Sequence, residues 1–511
     1  MNRPCLWTTF FLVLVVSSFP ASNGFTQDQA AKDNLRVIQD LIRTKTIAQL
    51  SALPGDHEVE PDNVAQVRDE LWEKFVSETR SNPIRKAEDS SNRIEFDGFT
   101  MKYHVKVIGE KPANGYPVYI CMHGGGSGNQ NDRQWNAMKK YYASSVKTGI
   151  YIAPRGIANT WNLHFMPASY PMYDRLIENM IVFREADANR VYLLGFSAGG
   201  DGVYQITPRM ADRWAAANMS SGHPNGSSMY NLYNTPFAIQ IGEYDYLYNR
   251  NIVAANKGEK LDELQKQAGG GYRHATMIHR GGNHNRPWRD NNPAASKYTV
   301  YENASQWKPV WIHDSGKNWK KEPGNPRCKK PSPSPYSDPK GSSTEGVATK
   351  DVDSNAIRWV SAYTRNPNPP RLRWNYSTLA PSRSGIAKDD SRLFKSTQRP
   401  NLFYWLDKMS SEPAGDTTID VQIDRASNTI RFEKCTSKVR LLLNSSLVDL
   451  SKPVHVVHGS SSFQMLVKPN LRMMVQTLVS RGDKDFIYPA ALTIEKKGSS
   501  LSAVKPHNAQ H

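Results

Sequence analysis

The sequence predicts an α/β fold, a doubly wound and mainly parallel sheet, followed by a second region rich in β-structure. Three observations lead there. Between residues 96 and 321, short apolar runs of strand character alternate with runs of helical spacing. One strand–helix junction within that span holds Gly195-Phe196-Ser197-Ala198-Gly199. Past a stretch dense in Pro, Ser, Gly and charge (322–348), the pattern turns to short strands separated by turn residues. Apolar strands joined by helices favour a parallel sheet, because the crossover helices cover both of its faces.

Taken in order, residues 1–24 have the layout of a signal peptide. A short positive start at Arg3 precedes an apolar run through Leu6 and Phe10–Val16, then small residues up to Gly24, after which cleavage is expected. That run is too short to span a bilayer, and no later stretch reads as a transmembrane helix. Residues 25–95 form a helical N-terminal segment, with Leu35, Ile38, Ile42, Ile47 and Leu50 and then Val64, Val67, Leu71, Phe75 and Val76 at helical spacing. Whether this is a pro-segment, a cap or part of the domain is open. Residues 96–321 are the catalytic-domain candidate. Its strands are expected at Tyr103–Val107, Val118–Met122, Gly149–Ala153, Val191–Leu194, Trp214–Asn218, Phe237–Ile241 and His274–His279. Its helices are expected at Tyr173–Arg184, Gly199–Met210 and Asn251–Gln267. Residues 322–354 read as a linker or long loop. Residues 355–498 read as a β-sandwich-like accessory domain interrupted by one helix, Leu471–Ser480, and 499–511 as a tail.

A chain of 511 residues exceeds one ordinary core and suits a catalytic domain plus a second unit. Its net charge of +17 is uneven. Residues 1–307 carry 33 Lys/Arg against 30 Asp/Glu, whereas residues 308–511 carry 32 against 18. The basic second part suits an acidic polysaccharide or matrix polymer, or simply a solvated surface. No nucleic-acid module is recognisable, so a nucleic-acid partner is not expected. In a secreted, extracellular protein Cys328 and Cys435 are candidates for a disulfide. Cys5 leaves with the signal, and Cys121 falls in an apolar strand as a buried thiol. Asn-x-Ser sequons start at Asn218, Asn225, Asn303, Asn375 and Asn444 and are candidate glycosylation sites, the first of them within an apolar run.

The chemistry centres on Ser197. Gly-x-Ser-x-Gly between an apolar strand and a helix is the context a nucleophile elbow needs: a sharp turn lifts the hydroxyl clear of the sheet, and the glycines avoid clashes. Upstream, His123-Gly124-Gly125-Gly126 follows a strand. This is the pattern of an oxyanion loop, with donors expected from the backbone of Ala198 and of Gly124 or Gly125. A serine nucleophile needs a base and an orienting carboxylate, in the chain order Ser, acid, His. Asp245, in the loop past strand Phe237–Ile241, is the acid candidate, with Glu243 in reserve. His284, in the glycine-rich loop past His274–His279, is the base candidate, with His279 as a rival and His223 and His274 as weaker ones. Trp161 and His223, in loops at the carboxyl ends of strands, are candidates for touching substrate or for packing. Asp201, just past the elbow, reads as a helix residue.

These motifs, over roughly residues 96–300, resemble the α/β-hydrolase superfamily. Gly195–Gly200, reading G-F-S-A-G-G, is similar to the elbow of secreted esterases related to polyhydroxybutyrate depolymerases and feruloyl esterases. The resemblance implies a doubly wound sheet, no metal, no organic cofactor and an acyl-serine intermediate. It assigns Ser197 as nucleophile, Asp245 as orienter and His284 as base. The expected function is a secreted serine hydrolase acting on carboxylic esters. A peptidase on the same fold is one alternative. A non-catalytic extracellular protein binding an acidic polymer through its basic second part is another.

Overall fold

The computed structural model describes residues 23–126, 128–280, 282–285, 298–301, 311–314, 318–321, 349–352, 354–379, 401–408, 417–436 and 438–504. The expected signal segment lies almost wholly outside these residues, as do Asn303, Cys328 and the Pro/Ser-rich run 322–348.

Four helices open the described chain: α1 (Asn23–Thr44), α2 (Ile47–Ser51), α3 (Val64–Ser81) and α4 (Pro83–Ser91). Two of their starts have a local cause. Thr46 caps α2 in a reciprocal capping box with Gln49, and Asn82 caps α4, whose first residue is Pro83. The strands and helices that follow are β1 (Arg93–Phe96), β2 (Phe99–Ile108), β3 (Tyr116–Met122), α5 (Gly128–Tyr141), β4 (Gly149–Pro154), α6 (Ser169–Arg184), β5 (Ala186–Phe196) and α7 (Ala198–Arg209). Then come β6 (Ala216–Ser220), β7 (Phe237–Gly242), α8 (Arg250–Ala268), β8 (His274–His279) and β9 (Tyr298–Tyr301). After the hairpin β10 (Trp311–Asp314) and β11 (Asn318–Lys321), strand β12 (Thr349–Val352) returns to the large sheet.

That sheet has ten strands in the order β1-β2-β4-β3-β5-β6-β7-β8-β9-β12. From β4 to β8 all pairings are parallel, and the two edges are antiparallel. Its central strands are buried along their length, as expected of a sheet covered on both faces. The chain steps outward from β3 to β4 on one side and from β5 onward on the other. This reversal of direction creates a crevice at the carboxyl ends of β3 and β5.

The N-terminal helices are not a loose appendage. Ile38, Ile42, Leu50, Val67, Leu71 and Phe75 form one buried cluster with Val182 of α6 and with Leu471, Met474 and Leu478 of the helix Leu471–Arg481. Arg85 of α4 is buried between Glu178 and Asn179 of α6, 2.8 Å from a carboxylate oxygen of the former.

The β-rich region holds two five-stranded sheets. One comprises β13 (Arg371–Asn375), β16 (Thr418–Asp424), β17 (Thr429–Lys434), β19 (Val454–His458) and β20 (Ser461–Met465). The other comprises β14 (Leu402–Phe403), β15 (Leu406–Asp407), β18 (Lys438–Leu443), β21 (Ala490–Lys497) and β22 (Ser500–Ala503). Their core, with Trp374, Phe403 and Trp405, is continuous with that of the large sheet. Buried ions cross the same boundary. Arg481 binds Asp212, Arg213 lies 3.7 Å from Asp483, which Arg365 also binds at 2.8 Å, and all three guanidiniums face the Phe486 ring.

Several expectations need correction. Residues 349–352, placed in a linker, are strand β12. The helix Ala356–Ser361, placed in the accessory domain, buries Ile357 and Val360 against Tyr192, Ala215 and Ala216 of the large sheet. Residues 403–406 form a hairpin between β14 and β15, not one strand. The expected Cys328–Cys435 disulfide involves Cys328, which lies outside the described residues; Cys435 is buried, with its sulfur 3.3 Å from the Thr436 carbonyl. Asn218 is an interior strand residue. Its amide nitrogen donates to Ser220 and its oxygen accepts from Gln240, so no glycan fits there. The Asn225 amide nitrogen donates to Asp201 and to the His223 carbonyl. Asn375 and Asn444 are half-buried at the ends of β13 and β18.

Candidate active site

β5 runs to Phe196, and α7 starts at Ala198. Ser197 alone makes the turn, at φ 56° and ψ −120°. An L-residue holds such a conformation only when its surroundings enforce it. They do so here by close approach: a Cβ on Gly195 would collide with the Gly199 carbonyl, and one on Gly199 with the Met122 carbonyl of β3. The Ser197 N–H donates to the Ser220 carbonyl of the adjacent strand at 2.9 Å. The hydroxyl is thereby raised at the carboxyl edge of the sheet, at the start of a helix.

Two further loops reach this point. β7 and β8 are parallel neighbours, so the loops that follow them leave the sheet side by side. They are knit together. The Glu243 N–H donates to the His279 carbonyl at 3.0 Å, the Tyr244 N–H donates to the Gly282 carbonyl at 2.7 Å, and Gly242 has no room for a Cβ against Asn283. This knitting sets Asp245 beside His284. His284 Nδ1 lies 2.8 Å from Asp245 Oδ2, and His284 Nε2 lies 3.0 Å from Ser197 Oγ. An ionised carboxylate can only accept, so the proton sits on Nδ1 and Nε2 faces the serine as an acceptor. The His284 ring is further held by the Phe196 ring, with centroids 5.2 Å apart, and its carbonyl accepts from Ser221 Oγ at 2.8 Å. Glu243 is buried elsewhere in the same loop. His279 lies within β8, 3.3 Å from Gln240, and His274 lies at the far end of β8 against Asp262.

The loop His123–Gly126 leaves β3 directly alongside. A Cβ on Gly124 would sit 3.0 Å from the Ser197 Cβ, and Gly125 and Gly126 hold φ of 127° and 147°. Gly124 therefore lies against Ser197, while Gly125 lies against Asn131. The signature histidine points away from substrate. His123 Nδ1 donates to the Gly124 carbonyl at 2.6 Å, and Nε2 accepts from the Gly156 N–H at 3.0 Å. His164 Nε2 donates to the His123 carbonyl at 3.0 Å, and the two rings meet edge to face. Burial pushes the His123 imidazole down to about 4 and that of His164 well below its ordinary value. Asn131 completes the scaffold by accepting from the Gly126 N–H at 2.7 Å.

Trp161 packs along this loop, next to Gly126 and edge-on to Phe165. His223 is half-buried in the loop after β6. Its N–H donates to Asp201 Oδ1 at 2.6 Å, and its ring meets Asn225. Asp201 is thus more than a helix residue. It ties α7 to that loop, and burial pushes its carboxyl up to about 6 against the pull of Arg250. The sequence reasoning passed over His164, Asn131 and Arg250. Among the described residues, no group of His, Cys, Asp and Glu is arranged to hold a metal ion.

The fold is that of the α/β-hydrolases. Strand order, parallel core and elbow establish it. No family model matches the sequence, and no curated protein matches it. Solved structures do resemble it. The BES protein from Bacillus cereus is 15% identical over 38% of this chain and 87% of its own, with a TM-score of 0.30. A ferulic acid esterase is 16% identical over 37% and 88%, with a TM-score of 0.28. An acylaminoacyl peptidase is 13% identical over 36% of each chain, with a TM-score of 0.28.

Proposed function

We propose that the chain is a secreted serine hydrolase that cleaves carboxylic esters through an acyl-serine intermediate. The observation that carries this reading is the unbroken relay from Ser197 Oγ through both nitrogens of His284 to buried Asp245. His284 takes the serine proton as the oxygen attacks the ester carbonyl. The Asp245 carboxylate stabilises the imidazolium that forms and keeps its ring in register. The developing oxyanion is held by peptide N–H groups of Ala198 and of Gly124 or Gly125. One such donor is worth about 3–4 kcal/mol of barrier. Protonated His284 then delivers its proton to the leaving alcohol, and water, activated by the same base, releases the acyl group. The ester preference follows the likeness of Gly195–Gly200 to the elbow of secreted depolymerase and feruloyl esterase-like enzymes. Trp161 and His223 border the crevice as substrate contacts. Secretion follows the layout of residues 1–24. The basic second region would serve the enzyme as an anchor to an acidic polymer.

The test is labelling of the purified protein with a fluorophosphonate probe, with mapping of the modified residue, alongside assays of ester and peptide hydrolysis. Modification at Ser197 with ester turnover, both lost in Ser197→Ala without loss of folding, is the expected result. Labelling elsewhere, or activity retained in S197A, would refute the assignment. Turnover of peptides in place of esters would refute the ester preference alone.

A further inference from the structure

Asp245 is 0% exposed, and only one of its oxygens is accounted for by His284. The other, Oδ1, has no hydrogen-bond partner among the described residues. Its nearest counter-charge is Arg250 at the first position of α8, with Nη1 3.9 Å away. Arg250 is itself more than nine-tenths buried, and its Nε has no hydrogen-bond partner among the described residues. A buried carboxylate without compensation is costly, and a buried guanidinium equally so. Each is the other's compensation.

The backbone is arranged to bring them together. Between them Tyr248 and Asn249 both adopt left-handed conformations, φ 62° and 54°, which non-glycine residues rarely do in succession. The Asn251 N–H closes the loop onto the Asp245 carbonyl at 3.2 Å. The guanidinium donates to the Leu247 carbonyl at 3.2 Å and lies over the ring of exposed Tyr248, 4.9 Å from its centroid.

We infer that Arg250 is a positioning residue of the relay, whose charge compensates that of buried Asp245, keeps it aligned on His284 and opposes build-up of positive charge on the His284 ring. The inference rests on the serine-hydrolase reading above. Other charged and titratable groups face the same point. Asp201 of α7 feels both Arg250 and His284, and His223 of the loop after β6 feels Arg250 and, further along α8, Lys257. Arg250 is thus the cation shared by two buried carboxylates, Asp245 and Asp201. Removing this cation would take away one source of repulsion on the imidazolium that His284 becomes during the relay.

The experiment is a pH profile of kcat/KM with a simple ester for wild type, Arg250→Gln, Arg250→Lys, Asp245→Asn and the double variant R250Q/D245N. R250Q should lower kcat by about tenfold or more with little change in KM, and the acid limb should move to higher pH. R250K should keep the acid limb in place. In the D245N background R250Q should cost little more, because the partner it acts through is already neutral. A wild-type rate and limb in R250Q would overturn the inference, and so would a full R250Q loss in the D245N background, which marks a role in folding alone. In both cases Ser197 labelling would leave the hydrolase reading standing. If R250Q does not fold, R250K decides: an unmoved limb supports the inference, and a shifted one overturns it. Absence of ester turnover and of Ser197 labelling in the folded wild type would overturn both.

Discussion

Acidification should act on this protein through the histidine beneath the oxyanion loop. His123 is wholly buried, donating from Nδ1 and accepting at Nε2, so the folded protein has no place for a second ring proton. Its folded value of about 4 lies below the 6.5 of an unfolded chain. A base depressed in this way contributes stability that is fully present above pH 6.5 and lost as the pH falls through 4. The gap of about 2.5 pH units, at about 1.36 kcal/mol each, makes this about 3 kcal/mol. His123→Gln removes the titration while retaining an N–H for the Gly124 carbonyl and an oxygen for the Gly156 N–H. Urea unfolding at pH 7, 6, 5 and 4 should show wild type losing about 3 kcal/mol more than H123Q over the range, with His164 common to both. Parallel stability curves for the two proteins would refute the argument.

Two other outcomes are expected. The Asp201 carboxyl is raised from 3.8 to about 6, so its contribution runs the opposite way: present below pH 3.8 and lost as the pH rises through 6. Asp201→Asn should remove a fall of about 2 kcal/mol between pH 4 and 7 in the same unfolding series, and an unchanged slope would contradict this. The two opposed titrations largely cancel in the wild type, which single variants should reveal. Leu71 of α3 is fully buried among residues of α6 and of the helix Leu471–Arg481. Leu71→Ala should therefore cost about 2–5 kcal/mol of stability of the whole catalytic unit, measured by thermal unfolding followed through loss of activity. A loss below about 0.5 kcal/mol would show the N-terminal helices to be a detachable appendage.

The sequence by itself determined the alternation of apolar strands and helices from β2 to β8, and with it a mainly parallel α/β sheet. Those strands read clearly because both faces are covered, which makes them continuous apolar runs bounded by turn residues. The serine elbow was legible because steric exclusion of Cβ atoms leaves only glycine at Gly195 and Gly199. Asp245 and His284 were legible only as candidates, from chain order and loop position. What chose them over Glu243 and His279 is the pairing of β7 with β8 and the hydrogen bonds between their loops, contacts between residues about forty positions apart. The same applies to features that sequence reasoning placed wrongly. Strand β12 and the helix Ala356–Ser361 join the large sheet across a long separation in the chain, and no local pattern records such a partner. His123, Asp201 and Arg250 carry ordinary local signals of a turn, a helix and a helix start. Their charge states and partners arise only when tertiary packing removes water from around them.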